Sequence, residues 1–129
     1  MAKGIIIREA HFPGRAPIEA YGNGGFRFAD MSHRGSLICL PSGIHGWEPA
    51  DPMALTVSDF DRLFGEAGKV EILLVGMGKD LRPLPAALRA AFKEAGISAD
   101  PMSTGAAVRT YNVLLAEDRA VAAALIAVD

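Results

Sequence analysis

Lys69-Val70-Glu71-Ile72-Leu73-Leu74-Val75-Gly76-Met77-Gly78 is the stretch that decides the fold. Val70 and the run Ile72–Val75 are apolar, interrupted only by Glu71. A short β-branched and aliphatic run that stops abruptly at glycine reads as a central strand covered on both faces. Glycines at its carboxyl end let the backbone turn tightly or approach a neighbour closely. The stretch therefore predicts an α/β fold.

The residues on either side agree with that reading. Upstream, Thr56 and Asp59 resemble a capping box with Asp in place of the usual Glu. Val57, Phe60, Leu63 and Phe64 follow at helical spacing, and Gly65 and Gly68 end the helix. Downstream, Pro85 suits the first position of a second helix. Leu84, Leu88, Ala91, Phe92 and Ala95 form its apolar stripe, and Gly96 terminates it. Ile97–Pro101 reads as a brief extended link or edge strand, because Pro101 cannot donate to a ladder. Thr104 opens a third helix, with Ala107, Val108, Tyr111, Leu114 and Leu115 facing inward.

Two segments remain, one at each end. The tail from Arg119, RAVAAALIAVD, favours helix by its alanine content. Yet the run is short, ends in Leu-Ile-Ala-Val and follows a helix that stops near Glu117-Asp118. Residues 120–128 are therefore read as a strand completing a β-α-β-α-β unit. The front of the chain reads as an N-terminal antiparallel β-meander behind a loosely held arm at residues 1–14. Its strands are Ile18–Tyr21, the Phe26/Phe28 alternation after the Asn23-Gly24 turn, Ser36–Leu40 after a turn near Arg34-Gly35, and Ile44–Glu48.

The 129 residues fit one domain, with 50% hydrophobic and 22% charged residues, which is a globular balance. A net charge of −2 without a Lys/Arg cluster speaks against nucleic acid. The one cysteine, Cys39, sits in an apolar run and reads as a buried structural thiol. No CxxC or Cys/His cluster suggests a zinc site. Three isoleucines near the start are too few for a signal peptide, and no run is long enough to span a bilayer. A soluble cytoplasmic protein is expected.

Chemistry-bearing patterns are sparse. Gly76-Met77-Gly78 fails the dinucleotide fingerprint, because Leu81 stands where the third glycine belongs, and a tight turn is the plainer reading. If the strands at 70–75 and 97–101 are parallel, their carboxyl ends share one edge, where α/β sheets take ligands. Helix N-termini after Gly78 and at Thr104-Gly105 would meet there, each offering backbone N–H groups. With Lys79, Arg82 and Arg109 nearby, Gly76, Met77, Gly78, Thr104 and Gly105 form a candidate crevice for a phosphate or carboxylate. Solvated charges and ordinary caps explain the same residues. His11, His33 and His45 show no helical pairing, and no GxSxG elbow occurs. Ser36, Ser42 and Asp51 reach a histidine only through the fold. Trp47 reads as core, and Tyr111 and Asn112 as structural, with Asn112 fastening the third helix to a neighbouring loop.

Several of these pieces occur together in one known family. They are Tyr21-Gly22-Asn23-Gly24-Gly25-Phe26-Arg27-Phe28, the Ser36–Leu40 strand, Gly46-Trp47, and Leu73–Val75 with Gly76-Met77-Gly78. Thr104-Gly105-Ala106-Ala107, Tyr111-Asn112-Val113-Leu114, Glu117 and Arg119 complete the set. Over residues 15–128 the chain resembles the uncharacterised Mth-like domain family, which includes a mitochondrial respiratory complex I assembly factor. The resemblance implies a three-layer α/β fold with a mixed central sheet, and it supports a strand at 121–128. It implies a non-enzymatic protein-binding role, with respiratory-complex or membrane-assembly components as partners, and it carries over no catalytic residues; no metal or cofactor is expected. Without a mitochondrial targeting segment, the chain looks like a bacterial-type member. A homo-oligomer stays open. The rival expectation is a small-anion or nucleotide-binding protein using Gly76–Lys79 and Thr104-Gly105.

Overall fold

The computed structural model describes residues 11–129. The arm expected over residues 1–14 falls largely outside them. Its described end is held, because His11–Phe12 form a short strand, β1. Asn23 and Gly24 take φ of 52° and 78°, the left-handed geometry of a two-residue hairpin turn. The turn folds β2 (Ile18–Gly22) onto β3 (Gly25–Phe28), and β4 (Met31–Arg34) returns antiparallel to β3. The sequence reading lacks β4, whose Met-Ser-His-Arg carries no clear apolar alternation.

β5 (Ser36–Leu40) and β6 (Gly43–Trp47) then enter a different sheet. The expected meander is therefore divided at Gly35. Burial explains the division: β5 is buried at all five positions and needs cover on both faces, whereas β4 exposes two of its four residues.

The Thr56 N–H donates to Asp59 Oδ2 at 2.8 Å, as a capping box requires. It starts a turn of 3-10 helix at Val57–Phe60 that runs into the four-residue helix α1 (Asp61–Phe64), rather than one regular helix. β7 (Ile72–Gly76), α2 (Ala86–Glu94), β8 (Ser98–Met102), α3 (Thr104–Ala116) and β9 (Val121–Leu125) follow. Gly96, at φ 77°, stands just past α2.

The larger sheet has the order β1-β6-β5-β9-β7-β8, and the smaller one β2-β3-β4. β9 lies between β5 and β7, antiparallel to the first and parallel to the second. The tail is thus a strand despite its alanines, because burial on two faces outweighs helix propensity. β7 is parallel to both β8 and β9, which completes the expected β-α-β-α-β unit, with Pro101 on the edge strand β8.

Period-2 alternation sends side chains into two cores. Leu73, Val75, Ile38, Leu40, Ala122 and Ala124 face Phe60, Leu63, Leu88 and Phe92. Leu74, Leu37, Cys39, Val121, Ala123 and Leu125 face Val108 and Tyr111 of α3 and Phe26 and Phe28 of the small sheet. The result is three layers around a mixed central sheet. Phe92 meets Phe60 edge-on at a 5.0 Å centroid distance. Trp47 packs on Phe60 and donates Nε1–H to the Asp59 carbonyl at 2.8 Å, so it serves the core as expected. Asn112 Oδ1 accepts from the Ile18 N–H at 2.9 Å, and its Nδ2 donates to the Ile18 carbonyl at 2.8 Å. It fastens α3 to the start of β2, rather than to a loop, and stands in for a missing neighbour strand there.

Candidate functional site

The expected anion crevice lies at the carboxyl edge of β7. β7 and β8 are parallel, so their ends do share one edge. α3 begins there, but α2 starts at Ala86, well after Gly78, because residues 79–85 run without regular structure. One helix N-terminus therefore reaches the edge instead of two. Its turn is closely engaged with the strand end. Thr104 is fully buried, and its hydroxyl accepts from the Gly78 N–H at 3.0 Å and donates to the Ile126 carbonyl at 2.7 Å. The Thr104 N–H donates to the Gly78 carbonyl at 2.8 Å, and the Met77 N–H to the Met102 carbonyl at 2.8 Å.

This engagement explains the glycines. A Cβ on Gly76 would lie 2.9 Å from the Thr104 Cα, and Gly78 has φ 98°. A Cβ on Gly105 would collide with the Tyr21 hydroxyl. Met77 is buried in the core. A cleft of about 310 Å³ brings Met77, Gly78, Lys79 and Arg82 together, but Asp80 and Asp129 line it as well. Thr104, Gly105 and Arg109 are not among its lining, and Arg109 is exposed on α3.

The other groups with chemical potential also hold the fold. Ser42 Oγ lies 3.3 Å from His45 Nε2 and donates to Glu66 Oε2 at 2.5 Å, while the Ser42 N–H donates to Glu66 Oε1 at 3.0 Å. The carboxylate grips the serine rather than the histidine, the reverse of a triad, in which the acid orients the base. His33 sits between the two sheets, with Nε2 3.1 Å from the Ser36 carbonyl and its ring against Gly46. Burial lowers its pKa, and the Ser36 carbonyl partly opposes that.

Cys39 is buried against Tyr111, and burial pushes its thiol up to about 12 from 9.0. The same burial raises the Tyr111 hydroxyl. A thiol held neutral is a poor nucleophile. Native protein should leave Cys39 untouched by a disulfide reagent near neutral pH, and concentrated guanidinium should release full reaction. The folded state holds this proton more tightly than the unfolded chain. Stability should therefore fall as pH rises from about 9 towards 12, read as urea midpoints across that window.

A second cleft, of about 470 Å³, opens on the small sheet. Tyr21, Asn23, Arg27, Ser32 and Arg34 stand around it, over Gly25 and Phe26. Sequence reasoning did not single out this cleft. Its signal was the Phe26-Arg27-Phe28 alternation, which sends Arg27 to the face opposite the core, together with the unrecognised strand β4.

The geometry defines a class of protein: a three-layer α/β fold whose polar side chains mainly brace the chain, with open clefts on its surface. The family model described as a protein of unknown function (DUF498/DUF598) matches residues 18–126, and the chain belongs to that family. An uncharacterised protein of Rhodobacter capsulatus is 43% identical over 92% of this chain and 90% of its own length. The NADH dehydrogenase (ubiquinone) 1 alpha subcomplex assembly factor 3 of Mus musculus is 27% identical over 95% of this chain. The chain spans 66% of that mouse protein's length.

Among solved structures, one described as an outer membrane protein from Bartonella henselae is 63% identical, with a TM-score of 0.89, covering 92% of this chain and 99% of that one. A Bordetella pertussis protein described as a Mth938-like domain is 26% identical with a TM-score of 0.77, covering 87% of this chain and 85% of that one. The resemblance seen in the residues is borne out, and so is the fold it implied. Among the described residues, no helix is long and apolar enough to cross a membrane.

Proposed function

We propose that this protein is a non-enzymatic assembly factor that works in the cytoplasm by binding components of a respiratory complex or of membrane assembly. The observation that carries the reading is the similarity to the mouse assembly factor along 95% of this chain. Physical support comes from the polar groups. Thr104, Asn112 and Ser42 spend their hydrogen bonds on the fold, and Cys39 keeps its proton. Such a molecule offers partners a shaped surface more readily than a reactive centre.

A tagged chain, captured from the source cell and analysed by mass spectrometry, should enrich respiratory-complex or membrane-assembly components over an unrelated tagged α/β protein. Equal recovery in both would overturn the reading. Cell fractionation should place the protein with the cytosol or loosely on the inner membrane, not in the outer membrane.

The rival reading, a weak anion site at Gly76–Lys79 and Thr104-Gly105, draws support from Lys79 and Arg82 sharing one cleft. Phosphate-induced amide shifts confined to those residues, fading with salt, would favour it.

A further inference from the structure

We propose that the cleft on the small sheet is a docking site for an extended acidic segment of a partner protein, with carboxylates at alternate positions. The proposal rests on the protein-binding reading above. Charge carries it first. The chain has a net charge of −2, yet among the described residues no Asp or Glu lines this cleft, and Arg27 and Arg34 are both exposed on it. Among the described residues the ion pairs are Arg15 with Asp118 and Arg119 with Glu71, so neither cleft arginine takes part in one. Among the described residues Arg27 donates to Ser32 Oγ alone, at 3.4 Å.

Spacing carries it second. Arg34 stands opposite Gly25, and Arg27 opposite Ser32, on antiparallel strands. The two arginines are thus diagonal neighbours on one face, about 7–8 Å apart by sheet geometry. Alternate residues of an extended chain lie about 6.8 Å apart. Two carboxylates separated by one residue can therefore meet the two guanidiniums together, each in the bidentate manner arginine favours.

The site is also preformed. A Cβ on Gly25 would strike the His33 carbonyl, so that strand stays bare under the cleft. The Gly24 N–H donates to the Val128 carbonyl at 2.8 Å and ties the hairpin to the end of the large sheet. Tyr21 pairs with Phe26, so its ring turns to the other face and rests over Gly105, which leaves the arginine face open. Arginine is among the residue types that dominate interface energetics.

The test is an amide-shift titration of the full chain with a synthetic peptide alternating Glu and Ala, beside its Gln-Ala counterpart. The Glu peptide should give saturable shifts confined to Tyr21–Asn23, Gly25, Arg27, Ser32 and Arg34, and the Gln peptide none. The exposed pair Arg27→Ala/Arg34→Ala should keep the native spectrum and weaken binding at least about tenfold. Arg27→Lys/Arg34→Lys should fall between, and Lys79→Ala/Arg82→Ala should match wild type.

Shifts scattered over the surface, none at all, or shifts centred on Lys79 and Arg82 would overturn the proposal. So would tighter binding at the same residues by inorganic phosphate or a short oligothymidylate, which would assign the cleft to phosphate. The peptide titration judges the cleft on its own. Failure of the wild-type chain to capture assembly components would overturn only the assembly reading. Equal capture by wild type and the Arg27→Ala/Arg34→Ala variant would overturn only the docking site.

Discussion

Leu74→Ala is expected to lower the unfolding free energy by about 2–5 kcal/mol, the range for truncating a buried leucine. Leu74 is 2% exposed and sits on β7, between β9 and the edge strand β8, facing the α3 layer. Both neighbours of its strand are paired, so the surroundings cannot easily collapse into the space left behind. Urea unfolding measures the loss directly. A change below about 0.5 kcal/mol, the size of an ordinary surface substitution, would mean that the strand is not buried.

Thr104→Val is expected to cost about 2–5 kcal/mol while leaving the side-chain volume almost unchanged. The hydroxyl has two buried partners, the Gly78 N–H and the Ile126 carbonyl, and valine abandons both. Burial without a partner is what makes the loss large. Thr104→Ser, which retains the hydroxyl, should lose much less. Amide exchange at Gly78 should quicken in the valine variant, since its N–H would have no acceptor. A Thr104→Val protein as stable as wild type, with Gly78 still protected, would show that the hydroxyl does not brace the sheet edge.

These two residues mark how far the sequence could be read. Leu74 was legible because a β-branched and aliphatic run ending in Gly76 has few other structural solutions. The tail strand was legible because order outweighed composition: after β7-α2-β8-α3, a short apolar run fits beside β7 despite its alanines. Asn112 was legible as a fastener but not its partner, since the link to Ile18 joins residues far apart in the chain. Thr104 was legible as a helix start and not as a brace. Its contacts to Gly78 and Ile126 exist only once three segments meet.

The front of the chain was harder. β4 carries a single buried residue, His33, and so shows no apolar period. Without that strand, the split of the meander into two sheets could not be foreseen, nor could the placing of Arg34 beside Arg27. The crevice at Gly76–Lys79 was anticipated from strand ends and helix starts. Local backbone decided the rest, because the chain runs on without regular structure to Ala86 and Thr104 takes up the amide of Gly78.

The assembly reading is tested most directly by native gels of membranes from source cells that lack the protein. NADH:quinone oxidoreductase should then migrate as incomplete subassemblies while its subunits are still synthesised at normal levels. Wild-type chain supplied in trans should restore the full-size complex, and the Arg27→Ala/Arg34→Ala variant should restore less of it. Full-size complex at normal abundance in cells without the protein would contradict the account.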